Sequence, residues 1–193
     1  MLTKNCYTEL NQPNLEKILS VIRNGGIFIY PTETVWALGC IALNKSSVDK
    51  IYQLKKRDKS KPLICLIDDF ESISKYAILP ETKIATKLKL HNHPTVIYQK
   101  TKPSLKHVTN EKNEIAIRIT PIIELKKIIK MLNAPIISTS ANISGQPFPI
   151  NFNDIDKNIT SAVDLMLNFE VESTGIPSTI IRIDETGELQ YIR

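Results

Sequence analysis

Glycine is scarce in this 193-residue chain, with six in all. So few glycines leave little material for a glycine-rich phosphate loop, and neither GxxxxGK[ST] nor GxGxxG occurs. A GxSxG elbow and an HExxH helix are missing as well. The three cysteines, Cys6, Cys40 and Cys65, are far apart and form no CxxC pair. That excludes a disulfide framework or a cysteine zinc site and fits the reduced thiols of a cytoplasmic protein. No apolar run approaches the ~18 residues of a membrane span, and the N-terminal MLTKNCYTELNQPN lacks the apolar core of a signal peptide. Histidine offers little: His91 and His93 flank an asparagine before Pro94, and His107 sits in a lysine-rich loop, so all three read as solvated loop residues. A covalent mechanism needs a nucleophile beside a base, and no such pair stands out. An enzyme built from this sequence works by positioning and charge.

What is present is ordinary globular composition, 42% hydrophobic and 23% charged, with a net charge of +5. The positive balance leaves phosphate-bearing partners open, nucleic acid and nucleotide alike. It is made of 20 lysines and only five arginines: Arg23, Arg57, Arg118, Arg182 and Arg193. Helix-like and strand-like segments alternate. Residues 13–23 read as a helix with Pro13 in its first turn and Gly25–Gly26 at its stop. Ser46–Ser47 offers a cap for a helix through about Lys56, and 69–76, 81–90 and 122–132 are further helical stretches. Buried strands are expected at 26–30, 62–67, 95–99, 115–119, 135–138, 163–167, 178–183 and 189–192. This is the pattern of a single α/β domain over residues 1–193, a mixed β-sheet flanked by helices.

Four polar clusters adjoin these strands. Pro31-Thr32-Glu33-Thr34-Val35-Trp36-Ala37-Leu38-Gly39 follows the strand ending at Tyr30, where α/β folds present binding groups; a turn with a helix cap would use the same residues. Lys55-Lys56-Arg57-Asp58-Lys59-Ser60-Lys61 carries five positive charges. Lys55 and Arg57 could grip phosphate as point charge and fork, but a solvated helix end or an RNA-facing patch would also look like this. Arg118 stands alone between Ile117 and Ile119 in an apolar strand, on the face of Ala116 and Thr120. A charge there needs an anionic partner, either a glutamate of the chain or a ligand carboxylate or phosphate. The fourth cluster, Ser138-Thr139-Ser140-Ala141-Asn142-Ile143-Ser144-Gly145, reads as a strand entering a loop of hydroxyls suited to an anion or a nucleobase edge.

In that order, the blocks resemble a family. PTETVWALG is similar to the PTETVYGLG signature of the YrdC-like threonylcarbamoyl-AMP synthases, and IYQLKKRDKSKPL, IAIRI, STSANISGQP, PSTII and the terminal Tyr191-Ile192-Arg193 are similar to the family's later blocks. The likeness covers nearly the whole chain and corresponds to the short single-domain form. It implies a twisted YrdC-like sheet with a cationic cleft. It also implies a nucleotidyltransferase reaction: L-threonine, bicarbonate or CO2 and ATP give threonylcarbamoyl-AMP and pyrophosphate. Mg2+ accompanies ATP with no protein ligand assigned, and the product serves a tRNA-modifying transferase complex that makes N6-threonylcarbamoyladenosine. Carried over residue by residue, Lys55 and Arg57 hold the triphosphate and are the catalytic cations. Ser138, Ser140 and Asn142 line the adenylate site and Arg193 closes over the nucleotide; Thr32, Arg118 and Ser178 bind threonine. The chain departs from the family at Asn92-His93-Pro94-Thr95-Val96, which replaces a PGPxT block, and at Leu66, where longer members have a histidine. Asp58 replaces a proline, and Phe148 and Ile150 stand where serine and threonine are frequent. Double-stranded RNA binding in ribosome maturation is the competing function, since a concave basic surface suits it too.

Overall fold

The computed structural model describes residues 5–78, 93–99, 101–183 and 188–193. The helical stretch expected at 81–90, with His91 and Asn92, lies outside them. Ten strands form one mixed sheet: β1 (Cys6–Tyr7), β2 (Phe28–Tyr30), β3 (Ala37–Gly39), β4 (Ile64–Ile67), β5 (Thr95–Tyr98), β6 (Ile115–Ile119), β7 (Ile136–Ser140), β8 (Leu165–Leu167), β9 (Ile180–Ile183) and β10 (Leu189–Tyr191). Their spatial order is β1-β8-β2-β3-β7-β4-β6-β5-β9-β10. The expected mixed α/β sheet is what forms, with parallel pairs such as β4–β6 and β5–β9 among antiparallel ones such as β3–β7 and β5–β6.

The helices are α1 (Gln12–Arg23), α2 (Lys45–Leu54), α3 (Ile123–Leu132) and α4 (Lys157–Ala162). Helix α1 starts where Asn11 accepts from the Asn14 amide, with Pro13 in its first turn. The cap of α2 is Asn44, whose side chain accepts from Ser47 N at 3.1 Å, rather than the expected Ser46–Ser47. The Ser47 hydroxyl is instead committed to the Gly25 carbonyl. The stretch 69–76 contributes only a 3-10 turn at Glu71–Lys75.

Side-chain alternation sorts the sheet into two faces. One face is closed by the larger core, where Cys65, Ile117, Val96 and Ile181 meet Val48, Ile51 and Tyr52 of α2 and Leu105 and Val108. The opposite face is covered over only part of its width. There Phe28, Tyr30, Ile136 and Leu66 pack under Leu15, Ile18 and Ile22 of α1 and Leu125 and Ile128 of α3. Beyond Ile136 and Leu66, over β6, β5 and β9, that cluster does not continue among the described residues, and a cleft opens. Gly39 permits the close strand packing beside it, because a Cβ at that position would collide with the Ile137 carbonyl and the Tyr30 ring.

Candidate active site

The floor of the cleft is a register of outward-facing residues on adjacent strands. Ser138, Ile64, Ala116, Ile97 and Arg182 follow one another across β7, β4, β6, β5 and β9, with Ile136, Leu66, Arg118, Thr95 and Ile180 in the next row. Small side chains at Ala116 and Ser138 leave the floor low, and the cleft above it holds about 540 Å³. All four clusters meet there. Thr32, Arg57, Arg118, Ser138, Ser140, Ser178 and Arg193 all line it, although they are spread over more than 160 positions of sequence.

The serine cluster is not a loop throughout: β7 continues through Ser138 and Thr139 to Ser140. The reason is pairing with β3, whose Leu38 and Ala37 lie opposite Thr139 and Ser140. A three-residue strand ending in glycine carries little pattern of its own, so in the sequence β3 shows only as the tail of the PTET cluster. Thr32, buried at the entry to β3, ties its own turn: its hydroxyl donates to the Val35 carbonyl at 2.7 Å and accepts from the Thr34 and Val35 amides. Thr95 is fully buried and exchanges a 2.8 Å hydroxyl contact with Ser178, fixing that hydroxyl at the cleft wall.

Positive charge dominates the lining. Arg118 has an 8% exposed side chain; its Nε donates to the His93 carbonyl at 2.9 Å, and Nη2 lies 2.5 Å from Glu33 Oε1. A glutamate of the chain therefore does face this arginine, as one of the two expected partners. Arg57 donates from Nε to the Lys61 carbonyl and from Nη2 to the Pro62 carbonyl, both at 3.1 Å. Arg193 donates from Nε and Nη2 to the Ser178 carbonyl at 3.2 and 3.0 Å. Among the described residues no carboxylate pairs with Arg57 or Arg193, and both line the cleft. Burial pushes all three guanidiniums down from their ordinary value; at Arg118 the Glu33 carboxylate opposes that shift, and at Arg193 the nearby Arg57 charge adds to it.

Lys55 and Asn142 are placed differently from the other expected site residues. Lys55 is 1% exposed and does not line the cleft. Its Nζ donates to the Ser140 carbonyl, to the Asn142 carbonyl at 2.7 Å and to Asn142 Oδ1 at 3.2 Å. Asn142 sits directly behind Ser140, accepting from its hydroxyl at 2.6 Å and donating from Nδ2 to the Gln146 carbonyl at 2.6 Å.

The cleft also gathers Thr34 and Lys61 of the first two clusters, Phe148, Ile192, and a pair that sequence reasoning passed over, Arg182–Glu114. Arg182 lies 3.1 Å from Glu114 Oε1 through Nε and donates from Nη2 to Oε2, while Asn110 holds the same carboxylate at 2.6 Å. The signal for Arg182 was the one that singled out Arg118, an arginine alone between two isoleucines of a strand. Metal-binding capacity is not evident: among the described residues no group of three or more His, Cys, Asp or Glu is placed to hold an ion.

Comparison with known proteins agrees with this architecture. The Sua5/YciO/YrdC family model, described as "Telomere recombination", matches residues 20–193. A protein of Methanocaldococcus jannaschii provisionally named threonylcarbamoyl-AMP synthase is 35% identical over 185 residues, covering 92% of this chain and 86% of the relative. Among solved structures, H234A/Y235A Sua5 of Pyrococcus abyssi superposes with a TM-score of 0.84 at 25% identity, covering 94% of this chain and 56% of that one. A second P. abyssi Sua5 structure, complexed with L-threonine, gives 0.79 at 24% identity, covering 92% of this chain and 53% of that one, and supports the fold. With a family model spanning residues 20–193 and a cleft assembled from the same sequence blocks, this chain belongs to the Sua5/YciO/YrdC family.

Proposed function

We propose that this chain is an L-threonylcarbamoyladenylate synthase, a nucleotidyltransferase that joins L-threonine, bicarbonate or CO2, and ATP. The observation that carries the reading is the convergence of Arg57, Arg118 and Arg193 on one cleft that offers hydroxyls but no nucleophile–base pair. The naming of the M. jannaschii relative and the threonine complex of P. abyssi Sua5 support the same choice of substrates.

Threonine enters with its carboxylate on Arg118, exchanging with Glu33, and with its hydroxyl toward Ser178, while Thr32, its own hydroxyl held in its turn, lines the wall beside it. Its amine forms an N–C bond to the carbon of bicarbonate with loss of water, or to CO2 with loss of a proton, giving a carbamate. A carbamate oxygen then forms a bond to the α-phosphorus of ATP as the bond to the β-phosphate oxygen breaks and pyrophosphate leaves in line. Arg57, Arg193 and Lys61 face the triphosphate and offset the charge that grows on the leaving group. Ser138 and Ser140 face the adenylate. Magnesium belongs to this scheme as part of the MgATP substrate: Glu114, the one carboxylate side chain among the described lining residues, is already held by Arg182 and Asn110. The product carries an activated acyl group suited to attack by the N6 amine of a tRNA adenosine on a downstream transferase complex.

Incubation of the purified protein with ATP, Mg2+, bicarbonate and L-threonine tests the proposal. Pyrophosphate release that requires both threonine and bicarbonate is the expected result. Release independent of threonine would overturn it, and no release at all alongside salt-sensitive binding of double-stranded RNA would overturn it in favour of the RNA-binding alternative.

A further inference from the structure

We infer that Lys55 is a positioning residue of this active site, acting through Asn142 on the Ser140 hydroxyl instead of contacting the phosphates itself. The inference deepens the synthase reading and rests on it. Lys55 caps the C-terminal end of α2, and its backbone carbonyl accepts from Ser144 N at 2.9 Å, so main chain and side chain both bind the segment that follows β7. The ammonium has three protons and three oxygen partners: the carbonyls of Ser140 and Asn142, and Asn142 Oδ1. With every donor committed and the side chain buried, no proton is left for a ligand on the far side of Ser140.

The orientation of the Asn142 amide follows from two contacts. Its oxygen must face the Lys55 ammonium, which can only donate, and its nitrogen must face the Gln146 carbonyl, which can only accept. That oxygen is then the acceptor for the Ser140 hydroxyl proton at 2.6 Å. Ser140 lines the cleft, so it presents lone pairs there, and the partners it suits are donors such as a ribose hydroxyl or an exocyclic amine. Swinging Lys55 toward phosphate would strip two buried carbonyls of their partner and free the Ser140 hydroxyl to rotate. The cleft has no need of the extra cation, because Arg57, Lys61 and Arg193 already face it. A lysine in a motif dense with positive charge thus shapes the site by hydrogen bonding, while its neighbours supply the field.

Four measurements on the full chain test this. Lys55→Met removes the donors at similar length; kcat/KM for ATP should fall on the order of 10²-fold, the scale of a misplaced substrate group. Calorimetric binding of inorganic tripolyphosphate should change by less than about twofold in that variant, whereas Arg57→Ala should weaken it by roughly tenfold or more. Ser140→Ala should cost less in the Lys55→Met background than in the unaltered chain, because the two residues act through one link. Lys55→Arg should fail to restore activity, since a planar fork does not fit three converging oxygens. If Lys55→Met does not fold, Asn142→Ala carries the same test: it cuts the link and leaves the charge. Loss of tripolyphosphate binding in Lys55→Met, additivity with Ser140→Ala, or a silent Asn142→Ala would overturn the inference. Failure of the synthase reading itself is separate and would be seen as no threonine-dependent turnover in the unaltered protein.

Discussion

One face of the sheet is built to two different specifications. Over β8, β2 and β3 the side chains facing α1 and α3 are large and apolar, including Phe28, Tyr30, Leu165 and Leu167. Over β6, β5 and β9 the same face carries Ala116, Thr95, Arg118 and Arg182. The change occurs within a single row, where Ile136 and Leu66 are followed by Arg118. A half-sheet covered by helices gains stability from each apolar group removed from water. A half-sheet left open can hold charge and hydroxyls instead, at the cost of a weaker contribution to the core. The opposite face, closed along its length by α2, α4 and the short turns, supplies the stability that the open half gives up.

Breaking this division should separate activity from stability. The largest effect is expected from Arg118→Ala: threonine kcat/KM should drop by a free energy of about 3–5 kcal/mol, the range for removing one partner of a buried charge pair. Steady-state kinetics checks it, and unchanged threonine dependence with a lower melting temperature would assign Arg118 to a purely structural ion pair with Glu33. On the covered half, Ile128→Ala should cost about 2–5 kcal/mol of unfolding free energy in a urea titration, with the specific activity of the folded protein retained. On the open half, Ala116→Leu raises the cleft floor. The ATP KM should rise with a free-energy change of about 1–3 kcal/mol, while the urea midpoint stays close to that of the unaltered chain.

The smallest expected effect is pH dependence at Lys55. Burial, and secondarily the Arg57 charge, push its ammonium down to about 7 from the ordinary 10.5. As pH rises through that region one of three donors is lost, so kcat should decline on the alkaline side, and Lys55→Met should lack that limb. Stability should move the other way. Between the folded value and 10.5 the unfolded chain binds more protons than the folded one, so this residue's contribution rises with pH. Paired activity profiles and urea titrations at about pH 7 and about pH 9 check both signs.

Much of the division could be read in advance. The apolar strands at 62–67, 95–99 and 115–119 formed as β4, β5 and β6, because short apolar runs with β-branched residues favour extended backbone and can lay one face on a core whatever lies on the other. Elements whose identity depends on a partner were harder. β1 has two residues and β3 three, and each exists as a strand only through its pairing with β8 or with β2 and β7. Helix α4 is six residues, too short to show a period. The choice of Asn44 over Ser46 and Ser47 as the cap of α2 was set by Gly25, a residue remote in sequence that took the Ser47 hydroxyl.

Sequence alone settled that this is a mixed α/β chain without a glycine-rich phosphate loop, with scarce arginines concentrated in recognisable blocks. Those properties are local, since composition, periodicity and motif order survive without any knowledge of neighbours. Tertiary structure decided which charges face the cleft. Arg57 and Lys55 are two positions apart, yet one lines the cleft and the other is locked behind Ser140. The difference lies in their partners, the carbonyls of Lys61 and Pro62 for Arg57 and those of Ser140 and Asn142 for Lys55. The partners of Arg57 lie four and five residues along the chain, whereas those of Lys55 reach it only when β7 is laid beside β4, so the buried cation acquires its role from the oxygens that folding brings to it.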